Sequence, residues 1–276
     1  MAAATGSADI KLRIYDGLGL EQMWFPLSNG TLTAAAAASG FFTNSLNPNV
    51  IGSTLPGTIV GFQLPPSTND LRLTFAETAH NATDSFWLAR FYRFGTCTLT
   101  ATGNRLTHDG TFTRLQRTVF GTANTAINLI PVMYITTATA TAAAVFTMTY
   151  ADQDGVSTTG PNNTLPAAIT AVQGLYNILM DVADYAVLDV TAITLSGSTP
   201  SAGACSIFGV ELLAPINSVI AGTQGYTDLL FSGLSLPQLQ PATPDAGSVT
   251  SFLAVYCPSN LSTGVCPIRV QGFDNA

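Results

Sequence analysis

Two histidines, His80 and His108, and four cysteines, Cys97, Cys205, Cys257 and Cys266, are a short supply of reactive side chains for 276 residues. His108 stands in Leu106-Thr107-His108-Asp109-Gly110, which reads as a turn between strands. A Ser or Cys nucleophile beside His108 and Asp109 would make a hydrolytic trio, but such a trio is defined by geometry. The chain has no Gly-x-Ser-x-Gly elbow to raise a serine. The cysteines form no Cys-x-x-Cys pair, and two histidines do not supply the clustered ligands of a zinc site. No catalytic, cofactor-binding or metal-binding residue is assigned, and the expectation is a protein that is not an enzyme.

Asp152-Gln153-Asp154-Gly155 resembles the opening of a calcium loop. It lacks the later ligands and closing Glu of an EF-hand. A hairpin turn explains it better, because Asp-Gly favours the positive φ such turns need. Sugar hydrolysis would need two acids facing a cleft, and the sixteen Asp+Glu single out no pair. No phosphate-binding glycine motif follows a strand. Cys257 and Cys266 flank the turn-rich Pro258–Gly264. If that segment is a hairpin, the two can face one another as a disulfide; otherwise they are buried free thiols.

The elements that would position any site are mostly strands. Val145-Phe-Thr-Met-Thr-Tyr150 alternates apolar and hydroxyl side chains, and residues 186–195 also repeat with a period near two. Further candidates are 58–64, 71–76, 86–94, 96–102, 128–136, 206–213 and 250–256, separated by Gly, Pro, Asn and Ser clusters. Many short strands with such spacing predict a β-sandwich or barrel. Helical signals are confined to Thr33–Ser39, stopped by Gly40, and to 168–180, interrupted by Gly174.

The first 57 residues are rich in Gly, Asn, Ser and Ala, with apolar patches at Met23-Trp24-Phe25 and Phe41-Phe42. They read either as an irregular N-terminal arm packing on a neighbouring subunit or as a segment completing the main sheet. Trp24, Phe25, Phe41 and Phe42 are the candidate inter-subunit contacts, since aromatics are favoured interface anchors; an intramolecular core role stands beside that reading. Residues 58–276 form the expected β-sandwich domain.

Charge is the strongest compositional signal. Only 9% of residues are charged, the net charge is −7, and mean hydropathy is +0.34. An ordinary soluble domain has about 25% charged residues. A surface made of Ala, Thr, Ser, Gly and Asn repels its neighbours weakly and suits close packing of subunits. The acidic balance argues against direct nucleic-acid binding. Arg90, Arg93, Arg105, Arg114 and Arg117 are interleaved with apolar residues and read as single exposed salt-bridging side chains. No apolar run reaches about 18 residues, so no membrane-spanning helix is expected. No export signal is recognised, and synthesis in a cytoplasm is expected.

Several segments together resemble a group of tailed-bacteriophage virion structural proteins. Arg93-Phe94-Gly95-Thr96-Cys97 followed by Arg105–Gly110 is similar to that group's D-R-L-x-H-x-G-G segment. Phe146–Val156 is similar to its V-T-Y-T-N-Q-D-G strand and turn, and Asp181–Ser196 to its G-D-x-G-V-R-S-V-x-S-V-T-L run. Phe208–Ile216 and Leu234-Ser-Leu-Pro237 follow in the same order. The chain departs at Val187-Leu188, where the group often has Arg-Ser, and at Gln238, where it often has Arg.

The resemblance implies location in a virion and a jelly-roll-like antiparallel β-sandwich. It supplies no catalytic residue and no cofactor. The expected role is capsid cement or decoration, with the major capsid protein and further copies of the chain, as a trimer, for partners. The alternative is a tail fibre, baseplate or neck protein binding a host glycan. A glycan depolymerase is disfavoured by the low charge and scarce histidine.

Overall fold

A computed structural model of the chain describes residues 22–33, 41–42, 71–79, 84–109, 115–119, 122–139, 144–165, 175–197, 199–218, 224–229, 243–244, 250–256 and 264–274. The described residues are all-β. In chain order the strands are β1 (Gln22–Thr33), β2 (Phe41–Phe42), β3 (Leu71–Ala79), β4 (Asp84–Thr98), β5 (Gly103–Asn104), β6 (Leu106–His108) and β7 (Leu115–Val119). Next come β8 (Thr122–Ala126), β9 (Ile130–Thr137), β10 (Ala144–Asp152), β11 (Ser157–Thr159), β12 (Asn163–Leu165) and β13 (Leu175–Asn177). The last are β14 (Val187–Ser196), β15 (Ala204–Ser218), β16 (Gln224–Asp228), β17 (Thr243–Pro244), β18 (Thr250–Tyr256) and β19 (Gly264–Asp274).

Every pairing is antiparallel. The central sheet runs β13-β9-β15-β4-β18, with β6 also on β4. A second sheet runs β11-β10-β14-β5, with β12 also on β10. A third runs β16-β3-β19-β1-β2, and β17-β7-β8 forms a small fourth. The main core lies between the first two sheets, in a sandwich-like arrangement. Tyr92, Phe94, Met133, Ile135 and Ile207 from the central sheet meet Phe146, Met148, Tyr150, Val190 and Ile193 from the second. Full burial of such a side chain contributes about 1.5–3 kcal/mol. The other face of the central sheet is buried as well, around Phe91, Tyr134 and Phe208. Phe208 meets Phe91 edge-on at 6.0 Å and Tyr134 at 6.1 Å, the geometry ring quadrupoles prefer.

A strand alternates faces with period two, yet the core-facing residues of β4 and the turn after it run 92, 94, 97, 99. A bulge resolves the mismatch. Gly95 pairs with Ile207 but Arg93 with Phe208, so Phe94 is an extra residue on β4. Gly209 opposite Tyr92 leaves room for this: a Cβ there would sit 2.8 Å from the Phe94 ring and 2.6 Å from Leu129.

Several expectations change here. Residues 175–177 of the candidate helix at 168–180 are a strand on β9. The other candidate helix, past Thr33, lies outside the described residues, as does the candidate strand 58–64. Strands β18 and β19 belong to different sheets, β18 beside β4 and β19 between β3 and β1. The two strands are therefore not paired with each other, and the expected Cys257–Cys266 bridge lies outside the described residues. Cys266 pairs in register with Gly30, while Cys257 lies outside the described residues.

Within the N-terminal 57 residues, β1 pairs along its length with β19, from Gln22↔Phe273 to Leu32↔Gly264. Trp24 stands opposite Gln271 and Phe25 opposite Val270; Phe41 and Phe42 pair with Thr33 and Leu32. The side-chain surroundings of these four aromatics lie outside the described features. Among the described residues no helix is long and apolar enough to cross a membrane.

Candidate functional site

Three places collect the polar residues singled out by sequence. The first surrounds His108, which ends strand β6 rather than sitting in a turn. Gly95 makes this possible: a side chain there would lie 2.3 Å from the Thr107 carbonyl oxygen, so β6 can close on β4 only over a glycine. His108 Nε2 lies 3.0 Å from Asp189 Oδ1 on β14. Asp109, the acid expected beside it, is instead bound by Arg93 Nε, and its backbone N–H donates to the Phe94 carbonyl at 2.9 Å. A His108–Asp109 trio, which the sequence did not favour, is not the arrangement formed. What forms is a cross-layer tie: Asp189 is buried, and His108 joins the central sheet to the second. His80 lies outside the described residues.

The arginine stretch divides. Arg93 forms a salt bridge with Asp109 as expected, but through a side chain only 12% exposed, and Arg105 donates to the Thr102 carbonyl. Arg90 is 1% exposed, contrary to the expectation of an exposed side chain. It sits on a strand covered on both faces, directly opposite Glu211, where opposite charges stabilise a cross-strand pair. Glu211 also accepts from the Tyr92 hydroxyl at 3.0 Å.

The second place is a cavity of about 360 Å³ over β6, β4, β15 and β9, walled by Thr96, Thr98, Thr107, Thr136 and Ser206 with Arg93 at one side. Its described lining has hydroxyls but no carboxylate or imidazole, so it carries no acid–base pair. Beneath it Cys97 and Cys205 stand opposite one another, both buried free thiols. Burial pushes the Cys205 thiol well above its ordinary range, and the neighbouring Cys97 adds to this.

The third place is the end of the second sheet formed by residues 152–156 and 178–186. Asp152 is the hairpin turn's anchor. Its Oδ1 accepts the backbone N–H groups of Asp154 at 2.9 Å and Val156 at 2.8 Å, and Gly155 takes φ 80°. The calcium-loop likeness thus resolves into a turn whose first acid is occupied by the backbone. Among the described residues no group of three metal-binding side chains forms.

Tyr150 locks the facing loop to this turn. Its hydroxyl donates to Asp184 Oδ2 at 2.6 Å and accepts the Asp181 N–H at 2.9 Å. Burial, then the bond to Asp184, pushes its pKa up to about 12. Gln153 binds Asp184 and the Tyr185 N–H, and Asn163 Oδ1 accepts the Leu179 N–H at 2.7 Å. On this stitched frame Val156, Leu179, Val182 and Tyr185 are 59%, 60%, 101% and 67% exposed. They are four of the five large apolar side chains so exposed among the described residues, Tyr226 being the other. Scattered exposed apolar residues are ordinary; four carried on two segments tied together by Gln153, which binds Asp184 and the Tyr185 N–H, mark a candidate interaction surface.

Sequence reasoning placed no contact here. Asp181, Asp184 and Asp189 registered only as part of the Asp181–Ser196 segment of the resemblance, with no site role. The available signal was the spacing of Leu179, Val182 and Tyr185 among acids, which fits neither a helix stripe nor a strand. Comparison with known proteins finds no matching family model, no matching curated protein and no matching solved structure.

Proposed function

We propose that this chain is a non-enzymatic structural component of a tailed-phage virion, acting as a capsid cement or decoration protein. The observation that carries the reading is the apolar tip of Val156, Leu179, Val182 and Tyr185, held on a hydrogen-bonded frame. A rigid apolar group loses little conformational entropy on docking, so its burial goes largely into affinity. The charge content of 9% points the same way, because so neutral an exterior suits close packing. The ordered resemblance of the segments between Arg93 and Pro237 to phage virion proteins supports a virion as the assembly. A stable contact buries about 1,600 Å²; the tip would be one anchor of such an area, and lattice repetition multiplies weak contacts. The major capsid protein and further copies of the chain, in a trimer, are the partners this reading requires.

The hydroxyl-walled cavity beside Arg93 favours one alternative, a tail fibre, baseplate or neck protein that holds a host glycan. Quantitative mass spectrometry of purified particles separates the two. A copy number scaling with the shell lattice is expected for cement, one scaling with a single tail supports the alternative, and absence from particles refutes both.

A further inference from the structure

All nine Lys+Arg lie at Lys11, Arg13, Arg72, Arg90, Arg93, Arg105, Arg114, Arg117 and Arg269, so residues 118–268 contain none. The same span holds eight acids: Asp152, Asp154, Asp181, Asp184, Asp189, Glu211, Asp228 and Asp245. The apolar tip is built wholly from this base-free span. The charged residues adjoining the tip in the chain are therefore all acidic, with Asp154 and Asp181 exposed near Val156 and next to Val182 in sequence. Asp152 and Asp184 are committed to the turn and to Tyr150.

We propose that the tip docks on a protein of different sequence whose contact face is an apolar patch rimmed by Lys or Arg. This rests on the structural-subunit reading above and names the partner's chemistry at that same surface. Charge complementarity decides the occupant. A second tip would bring like charges together, which costs affinity and suppresses that pairing. Elsewhere on a second copy the four cations whose side chains are described are already used: Arg72 and Arg90 are buried, Arg93 holds Asp109, and Arg105 holds the Thr102 carbonyl. A basic, partly apolar face on another protein supplies both what the apolar side chains and what the carboxylates need. An anionic lipid surface supplies only the first.

The test uses the full chain and particles assembled without it, with rebinding measured by co-sedimentation at low and high salt. The variants are the double substitution Asp154→Asn with Asp181→Asn, and Val182→Ser. Asn keeps the acceptor oxygen that Asp181 offers to the Ala183 N–H, so the loop is retained. Screening shortens to about 8 Å at physiological salt, so wild-type binding is expected to weaken as salt rises. The double variant should bind on the order of tenfold more weakly at low salt, with a flatter salt response, and Val182→Ser should weaken binding at every salt concentration.

If Val182→Ser loses binding while the Asn variant and high salt have no effect, the charge proposal falls and the structural reading stands. If the wild type does not bind, or if no variant alters binding, both fall. Sedimentation velocity of the free chain supplies one more outcome: dimers abolished by Val182→Ser would give the tip to a second copy and overturn the proposal.

Discussion

Tyr150 shows how one side chain couples core to surface. Its ring is fully buried among Phe146, Met148 and Val190, while its hydroxyl spans Asp181 and Asp184 at the tip. Burial and the Asp184 carboxylate both favour the neutral phenol, which places its pKa at about 12 against an ordinary value of 10.0. A raised pKa of this kind gives stability that is fully present below pH 10 and lost as pH rises through about 12. Tyr176, raised by burial, acts in the same direction. Thermal melts from about pH 9 to about pH 12 should show this loss, and Tyr150→Phe should lessen the slope while costing about 1 kcal/mol at neutral pH. A wild-type melting temperature independent of pH across that window would refute the assignment. Cys97 and Cys205 give a second residue-scale expectation: buried, with the Cys205 thiol held protonated, they should resist alkylation in the native chain and react only after unfolding, read by mass spectrometry. At this scale sequence was a poor guide to partners. Asp109 adjoins His108 in the chain, but the acid it meets is Asp189, brought near by sheet packing 81 positions away.

Among elements, the fate of β6 depends on one glycine. The Thr107 carbonyl sits where a Gly95 side chain would begin. Gly95→Ala should push β6 from β4, break the His108–Asp189 tie and cost about 1–3 kcal/mol, as overpacking does. Denaturant unfolding measures the loss. Faster amide exchange at Leu106–His108 would locate it, and wild-type exchange there would contradict the account. Strands with clean alternation were legible in the sequence: 145–150 lies within β10, 186–195 overlaps β14, and 250–256 coincides with β18. Leu175–Asn177 was obscured because three residues beside Gly174 carry too little pattern to separate strand from helix. The Phe94 bulge was hidden for a different reason. It joins two runs, 86–94 and 96–102, that read as separate strands, whereas the single strand β4 holds all of the first and the start of the second.

For the whole molecule, the all-β class followed from Thr, Val, Phe and Tyr alternation and frequent turn clusters, while the antiparallel pairing was what the resemblance implied. The layering did not, because both faces of β4 and β15 are buried and a doubly covered strand loses the polar-out signal. The interaction surface was the least legible feature. Leu179, Val182 and Tyr185 look like core residues in composition, and only the fold turns them outward. Their exposure carries the proposal: an apolar tip on a weakly charged chain, which the proposed function requires to be covered on assembly. Hydroxyl-radical footprinting of the chain, free and within purified particles, tests it most directly. Strong protection of Val156, Leu179, Val182 and Tyr185 in the particle is predicted, with Tyr150 protected in both states; equal labelling of those four side chains in the free and assembled forms would contradict it.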